Sequence, residues 1–219
     1  MKVERFCATV LWTVFCCFNA SFGDQSAATV TFTLDFPGAN PSHYEIAVSS
    51  DGHGSYKSDG KMDEKSDAAY DKSEQFTLSD NIRAQIFDLS KKAHYFEGKV
   101  DSGRKNIANT GAKTLAYKDA KHNSQATYNY SLLQPVAQLT SLFQGLSATL
   151  EFGRRLAYFH KYEKLALDDE LKRMEEMQKS NSLTDIPAIT PVLKEIANDS
   201  SVMNVSRARA LRLLAGSGS

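Results

Sequence analysis

The sequence predicts an α+β fold: an antiparallel sheet of hairpins with a helix packed on it, followed by an all-helical C-terminal region. Three observations carry this expectation. Residues 29–36 alternate strictly, with Val30, Phe32, Leu34 and Phe36 on one side and Thr29, Thr31, Thr33 and Asp35 on the other, which is the period of a half-buried strand. Further short alternating segments follow up to about residue 130, separated by Gly, Pro, Asn and Asp, as hairpins require. After Gln134-Pro135 the period changes. Leu139, Leu142, Phe143, Leu146 and Leu150 recur at three- and four-residue steps, the spacing of an amphipathic helix.

Taken in order, the N-terminus opens Met1-Lys2-Val3-Glu4-Arg5, runs apolar over residues 6–18 and ends in small residues at Ser21 and Gly23. Basic end, apolar centre and small residues form the order of a secretory signal. The run is shorter than the roughly 20 residues that span a bilayer. Residues 1–23 are therefore expected to be a signal peptide, and the protein to be periplasmic or extracellular. Cys7, Cys16 and Cys17 all lie inside the signal, so the mature chain is cysteine-free. Lipoprotein anchoring through Cys16 or Cys17 is disfavoured, because bulky Phe15 stands where a lipoprotein peptidase wants a small residue. Removing the signal leaves 219 − 23 = 196 residues, enough for one sizeable core or two small ones. The mature chain carries 24 basic against 25 acidic side chains, a balance with no general electrostatic footprint for nucleic acid or an anionic membrane.

Residues 24–133 are expected to form the β-rich α+β domain. Pro37-Gly38-Ala39-Asn40-Pro41 ends the first strand. Tyr44, Ile46 and Val48 make the second, and Asp51-Gly52-His53-Gly54 turns the chain into a third containing Tyr56. Residues 58–73 are polar and read as an exposed loop. A short strand at 75–78 leads to a helix capped by Ser79, with Asp80 in its first turn and Ile82, Ile86, Leu89 and Ala93 on one stripe. Tyr95-Phe96 takes the chain off that helix. A second hairpin pairs 113–118 with 126–130 through a turn at His122 and Asn123, its register set by cross-strand aromatic pairs among Tyr117, Tyr128 and Tyr130.

Residues 134–215 form the helical region. Gly145 and Gly153 predict bends or breaks, and Asp168 a fresh start, so two or three helices are expected rather than one rod. Asp169 with Arg173, and Glu175 with Lys179, have the four-residue spacing of helix ion pairs. Thr190-Pro191 reads as a cap and a proline at the first helical position. A last helix covers about 205–214, and residues 216–219 form a flexible tail.

Candidate chemistry is sparse. The five histidines lie apart. The His94/Glu97 and His160/Glu163 pairs run in the reverse order to the Glu-x-x-His of di-iron bundles. No metal, cofactor or catalytic constellation is expected. Gly-x-Ser-x-Gly and a phosphate-cradling glycine loop are absent. Arg154, Arg155, Arg207, Arg209 and Arg212 read as helix-end charges rather than a nucleic-acid stripe. Tyr117, Tyr128 and Tyr130 are the candidates for a recognition surface, since tyrosine is favoured at interfaces.

The hairpin Tyr44-Glu45-Ile46-Ala47-Val48-Ser49-Ser50-Asp51-Gly52 with Tyr56, the following helix and the segment 110–117 resemble an uncharacterised class of exported bacterial domains. That resemblance covers roughly residues 43–145; it implies export and an antiparallel fold, and no activity. The chain is accordingly expected to be a non-catalytic binding or interaction module of the cell envelope, its partner another envelope or secreted protein. A hydrolase whose site is assembled from distant residues and a self-associating structural protein are the other readings.

Overall fold

The structure, a computed structural model of the chain, describes residues 27–61 and 73–216. The signal-peptide reading, the three cysteines and most of the expected polar loop lie outside these residues. The remainder is an α+β fold: six antiparallel strands, five α-helices and three short 3₁₀ turns.

The strands are β1 (Thr29–Asp35), β2 (His43–Ser49), β3 (His53–Ser58), β4 (Glu74–Thr77), β5 (Ala112–Lys118) and β6 (Asn123–Tyr128), in the order β4-β3-β2-β1-β5-β6. The alternation of β1 sets which face is covered. Val30, Phe32 and Leu34 lie opposite Val48, Ile46 and Tyr44 on one side and Tyr117, Leu115 and Lys113 on the other. All nine are buried on one face, while the threonines of β1 line the other.

Helices α1 (Asp80–Lys92), α2 (Gln134–Tyr162), α3 (Leu167–Lys179), α4 (Thr190–Asn198) and α5 (Asn204–Gly216) follow. Phe143 of α2 stacks on Phe32 of β1, ring centroids 5.2 Å apart. From there one apolar cluster continues through Leu146, Leu156, Leu171 and Leu193 to Leu213 of α5. Each fully buried side chain of this size contributes about 2–3 kcal/mol. The helical region therefore shares its core with the sheet.

Several expectations fail in instructive ways. Gly145 and Gly153 do not break α2, which runs 29 residues through both. They are points of close approach: a Cβ would sit 2.3 Å from Thr184 Oγ1 at Gly145 and 2.6 Å from Ile189 Cγ2 at Gly153. Ser79 precedes α1 without a side-chain cap bond; its own N–H donates to Asp185 Oδ2, 3.0 Å away and 106 residues on. The β5–β6 hairpin turns earlier than expected, so Tyr117 faces Ser124 and Tyr128 faces Lys113, and no aromatic cross-strand pair forms in it. Arg173 pairs with Glu170 rather than Asp169, and Glu175 reaches Arg209 and Arg212 of α5 rather than Lys179. Asp168 lies inside the first turn of α3 and binds Arg209 at 2.8 Å. Ser58, assigned to an exposed loop, is instead the buried last residue of β3.

Candidate functional site

The richest chemistry lies where α2 crosses β2 and β3. Ser147 and Glu151 are four residues apart on α2, on one face. Tyr56 and Ser58 are two apart on β3 and also share a face. Packing one face on the other brings the four together inside the protein. Tyr56 Oη donates to Glu151 Oε1 at 2.8 Å, Ser58 Oγ to the same oxygen at 2.7 Å, and Tyr56 Oη lies 3.0 Å from Ser147 Oγ. Burial pushes the Tyr56 and Tyr44 hydroxyls well above the ordinary tyrosine value, and the Glu151 charge pushes Tyr56 further. Both phenols thus remain neutral donors across the physiological range.

Two arginines complete the network. Arg154, its side chain only 1% exposed, donates from Nη1 to Glu151 Oε1 at 2.8 Å and has Glu74 3.6 Å from Nε. Arg155 donates from Nε to Glu170 Oε1 at 2.6 Å, while its Nη1 is 3.7 Å from Glu151 Oε2. Arg173 of α3 holds Glu170 from the other side at 2.8 Å. The Arg155 and Arg173 guanidinium groups both lie over the Phe152 ring, 4.9 and 5.3 Å from its centroid, a cation–π arrangement that orients them.

The two oxygens of Glu151 are therefore unequal. Oε1 accepts three hydrogen bonds, whereas among the described residues the nearest cation to Oε2, Arg155, stands beyond hydrogen-bond reach. Gly60 makes room beside Oε2, since a Cβ there would sit 2.8 Å from it. Glu151, Arg155, Glu170 and Arg173 line a cleft of about 670 Å³, whose walls include Leu34, Tyr44, Pro41, Phe159 and Met177. The 36–42 turn forming one wall is fixed by Asp59, which accepts the backbone N–H groups of Ser42 and His43 at 2.8 and 2.9 Å. Asn40 Oδ1 accepts the Lys61 N–H at 3.2 Å.

Such a cleft can hold a polar ligand by two groups. Oε2 of Glu151 accepts a hydrogen bond, and the donors of Arg155 and Arg173 left over from Glu170 can grip an anion. Ser147, the one serine or threonine among the described residues lining the cleft, is already engaged with Tyr56.

Of the tyrosines expected at a recognition surface, only Tyr130 is exposed, at 47%. Tyr117 and Tyr128 are buried at 7% and 4%, because the period of two turns both to the covered face. Tyr117 instead joins a small cluster: Tyr95 stacks on His122 with centroids 4.0 Å apart and lies 4.7 Å from Tyr117, while Asp119 receives the Tyr117 hydroxyl at 3.1 Å and the His122 N–H. This cluster pins the left-handed turn at His94, Tyr95 and Phe96 (φ 51, 54 and 67°). His160 meets Asp199 at 2.9 Å, not Glu163. Among the described residues no group of His, Cys, Asp or Glu has the arrangement of a metal site.

Sequence reasoning missed Glu151, Ser58 and the engagement of Arg154 and Arg155. A signal was present. Phe143, Ser147, Glu151 and Arg155 recur every four residues, placing an acid on a stripe that begins apolar. Among the described residues, no helix is long and apolar enough to cross a membrane. No protein-family model, curated protein or solved structure matches the chain.

Proposed function

We propose that the protein is an exported, non-catalytic binding module of the cell envelope, whose ligand is a small polar molecule carrying both an anionic group and a hydrogen-bond donor. The observation that supports this reading is the asymmetry of Glu151: a buried carboxylate, lining a cleft that also holds Arg155 and Arg173, with three hydrogen bonds on one oxygen and its cation 3.7 Å from the other. The donor of the ligand meets Oε2 and its anion meets the guanidinium groups. The export component rests on the N-terminal signal pattern, and the resemblance to exported bacterial domains agrees with it.

Thermal-shift screening of the protein against amino acids, short peptides, sugar acids and nucleotides tests the reading, followed by calorimetry on any hit. Arg173→Met is the informative variant, because that side chain is half-exposed and its loss leaves the Glu151 network intact. The expected result is a ligand that stabilises the wild-type protein and loses about tenfold or more in affinity in the variant, the value of a charge-assisted contact. Equal affinity in both proteins would remove the cleft from the account.

A further inference from the structure

A second, smaller cavity lies beyond Gln144, on the β5–β6 side of α2. It measures about 290 Å³, and its lining includes Lys113, Tyr128, Thr140, Gln144 and Ala137. Lys113 is 4% exposed. It stands on β5 opposite Leu34 and Tyr128, so the strand period carries a lysine onto the covered face of the sheet.

Its environment is unlike that of the other buried charges. Glu151, Arg154 and Glu170 are each matched by opposite charge, and Asp185 receives a backbone N–H. Lys113 Nζ meets only neutral oxygens: Thr110 O at 3.0 Å, Thr110 Oγ1 at 2.8 Å, Gly111 O at 3.1 Å and Asn129 O at 3.0 Å. Burying an ammonium without a counter-charge is unfavourable, and desolvation accordingly lowers the Lys113 pKa below its ordinary value. Four acceptors serve three protons, so one acceptor is surplus. Thr110 Oγ1 has other partners in Asn129 O and Oδ1 at 3.3 and 3.1 Å, and can leave Lys113 while staying bonded. A guest oxygen that takes its place beside Nζ brings the negative charge that none of the four acceptors carries. On the far wall, Thr140 donates to Val136 O at 2.7 Å, so in the 2.6 Å contact of Tyr128 with Thr140 the phenol is the donor.

We propose that this cavity binds a carboxylate, with Lys113 as its counter-charge and Thr110 as the group it displaces. A single cation among neutral groups matches a monoanion, which favours a carboxylate over a phosphate dianion. The cavity is distinct from the cleft that holds Arg155 and Arg173, so the proposal stands whether or not that cleft binds a ligand.

The test titrates the full chain with sodium acetate and sodium propionate at pH 7 and constant ionic strength, with chloride as the compensating salt. Melting temperature and the Lys113 Cε resonance are followed together. The expected result is a saturable rise in stability and a saturable Lys113 shift, unchanged in Arg173→Met. Ala137→Phe, which fills the cavity from an exposed helix position without touching the lysine, abolishes both. Lys113→Met removes the stabilisation, and affinity falls by about tenfold or more. If Lys113→Met fails to fold, Ala137→Phe alone decides. A linear response shared with sulfate, a response that survives Ala137→Phe, or one lost only in Arg173→Met would each overturn the proposal.

Discussion

Replacing Glu151 with Gln keeps the shape of the side chain and removes its charge, so its effect isolates the electrostatics of the buried network. Oε1 accepts from Tyr56, Ser58 and Arg154. A hydrogen bond to a charged group contributes about 1.5–3 kcal/mol, a neutral one about 1; weakening three of them removes roughly 3 kcal/mol. A second route gives a similar figure. Arg154, 1% exposed and with Glu74 3.6 Å from its Nε, loses the carboxylate charge its Nη1 meets, and breaking a buried pair on one side costs about 3–5 kcal/mol. The new amide NH₂ also faces Arg155, donor against donor. Both routes predict a loss of about 3–4 kcal/mol, which for a domain of this size lowers Tm by about 6–16 °C. Urea unfolding and calorimetry of wild-type and Glu151→Gln proteins measure it. A loss below about 1 kcal/mol would refute the reasoning, since it would mean that the carboxylate is neither charged nor desolvated in the folded protein.

Three further outcomes are expected. Burial pushes the Tyr128 hydroxyl up to about 12, so the folded state keeps its proton after the unfolded state has lost it near pH 10; the stability this contributes is whole below pH 10 and falls as pH rises toward 12, by about 3 kcal/mol for this residue. Tyr44 and Tyr56 act in the same direction, Lys113 in the opposite one, and urea midpoints between pH 9 and 11.5 should decline less steeply in Tyr128→Phe. His94 is exposed and left-handed at φ 51°, so His94→Gly should raise stability by about 0.5–1 kcal/mol; a loss of stability would show that the ring makes a contact. Asp185→Ala removes the acceptor of the Ser79 N–H at the start of α1 and should cost about 1–2 kcal/mol, with faster amide exchange at Ser79 as its local signature.

What the sequence disclosed followed from local rules. In β1 every second residue faces the core, so its inward set could be read without a partner strand, and the change of period at Gln134 marked the start of α2. What it concealed depended on neighbours far along the chain. Whether Gly145 and Gly153 break a helix or admit a neighbour is decided by Thr184 and Ile189, which local spacing does not reveal. The same holds for the tyrosines: their alternation was legible, but not which face the helices would cover. The contacts of Ser147 and Glu151 with β3 join residues 91 to 95 positions apart, and only the crossing of α2 over β3 brings them together.

The placement of that network bears on why it is there. Stability alone would be served as well by apolar side chains, since replacing a buried ion pair by well-packed hydrophobic residues is often neutral or stabilising. The same helix uses such residues elsewhere: Phe143, Leu146 and Leu150 are buried without polar partners. Charge is introduced at Glu151 and Arg155, which line the cleft, and at Arg154, which pairs with Glu151 behind it. The double variant Glu151→Leu/Arg154→Met separates the two roles. If the network serves the ligand, this protein unfolds at a wild-type temperature or above and no longer binds the molecule that stabilises the parent. If it serves folding, the double variant is as unstable as Glu151→Gln. A double variant that is stable and still binds would place the ligand away from Glu151.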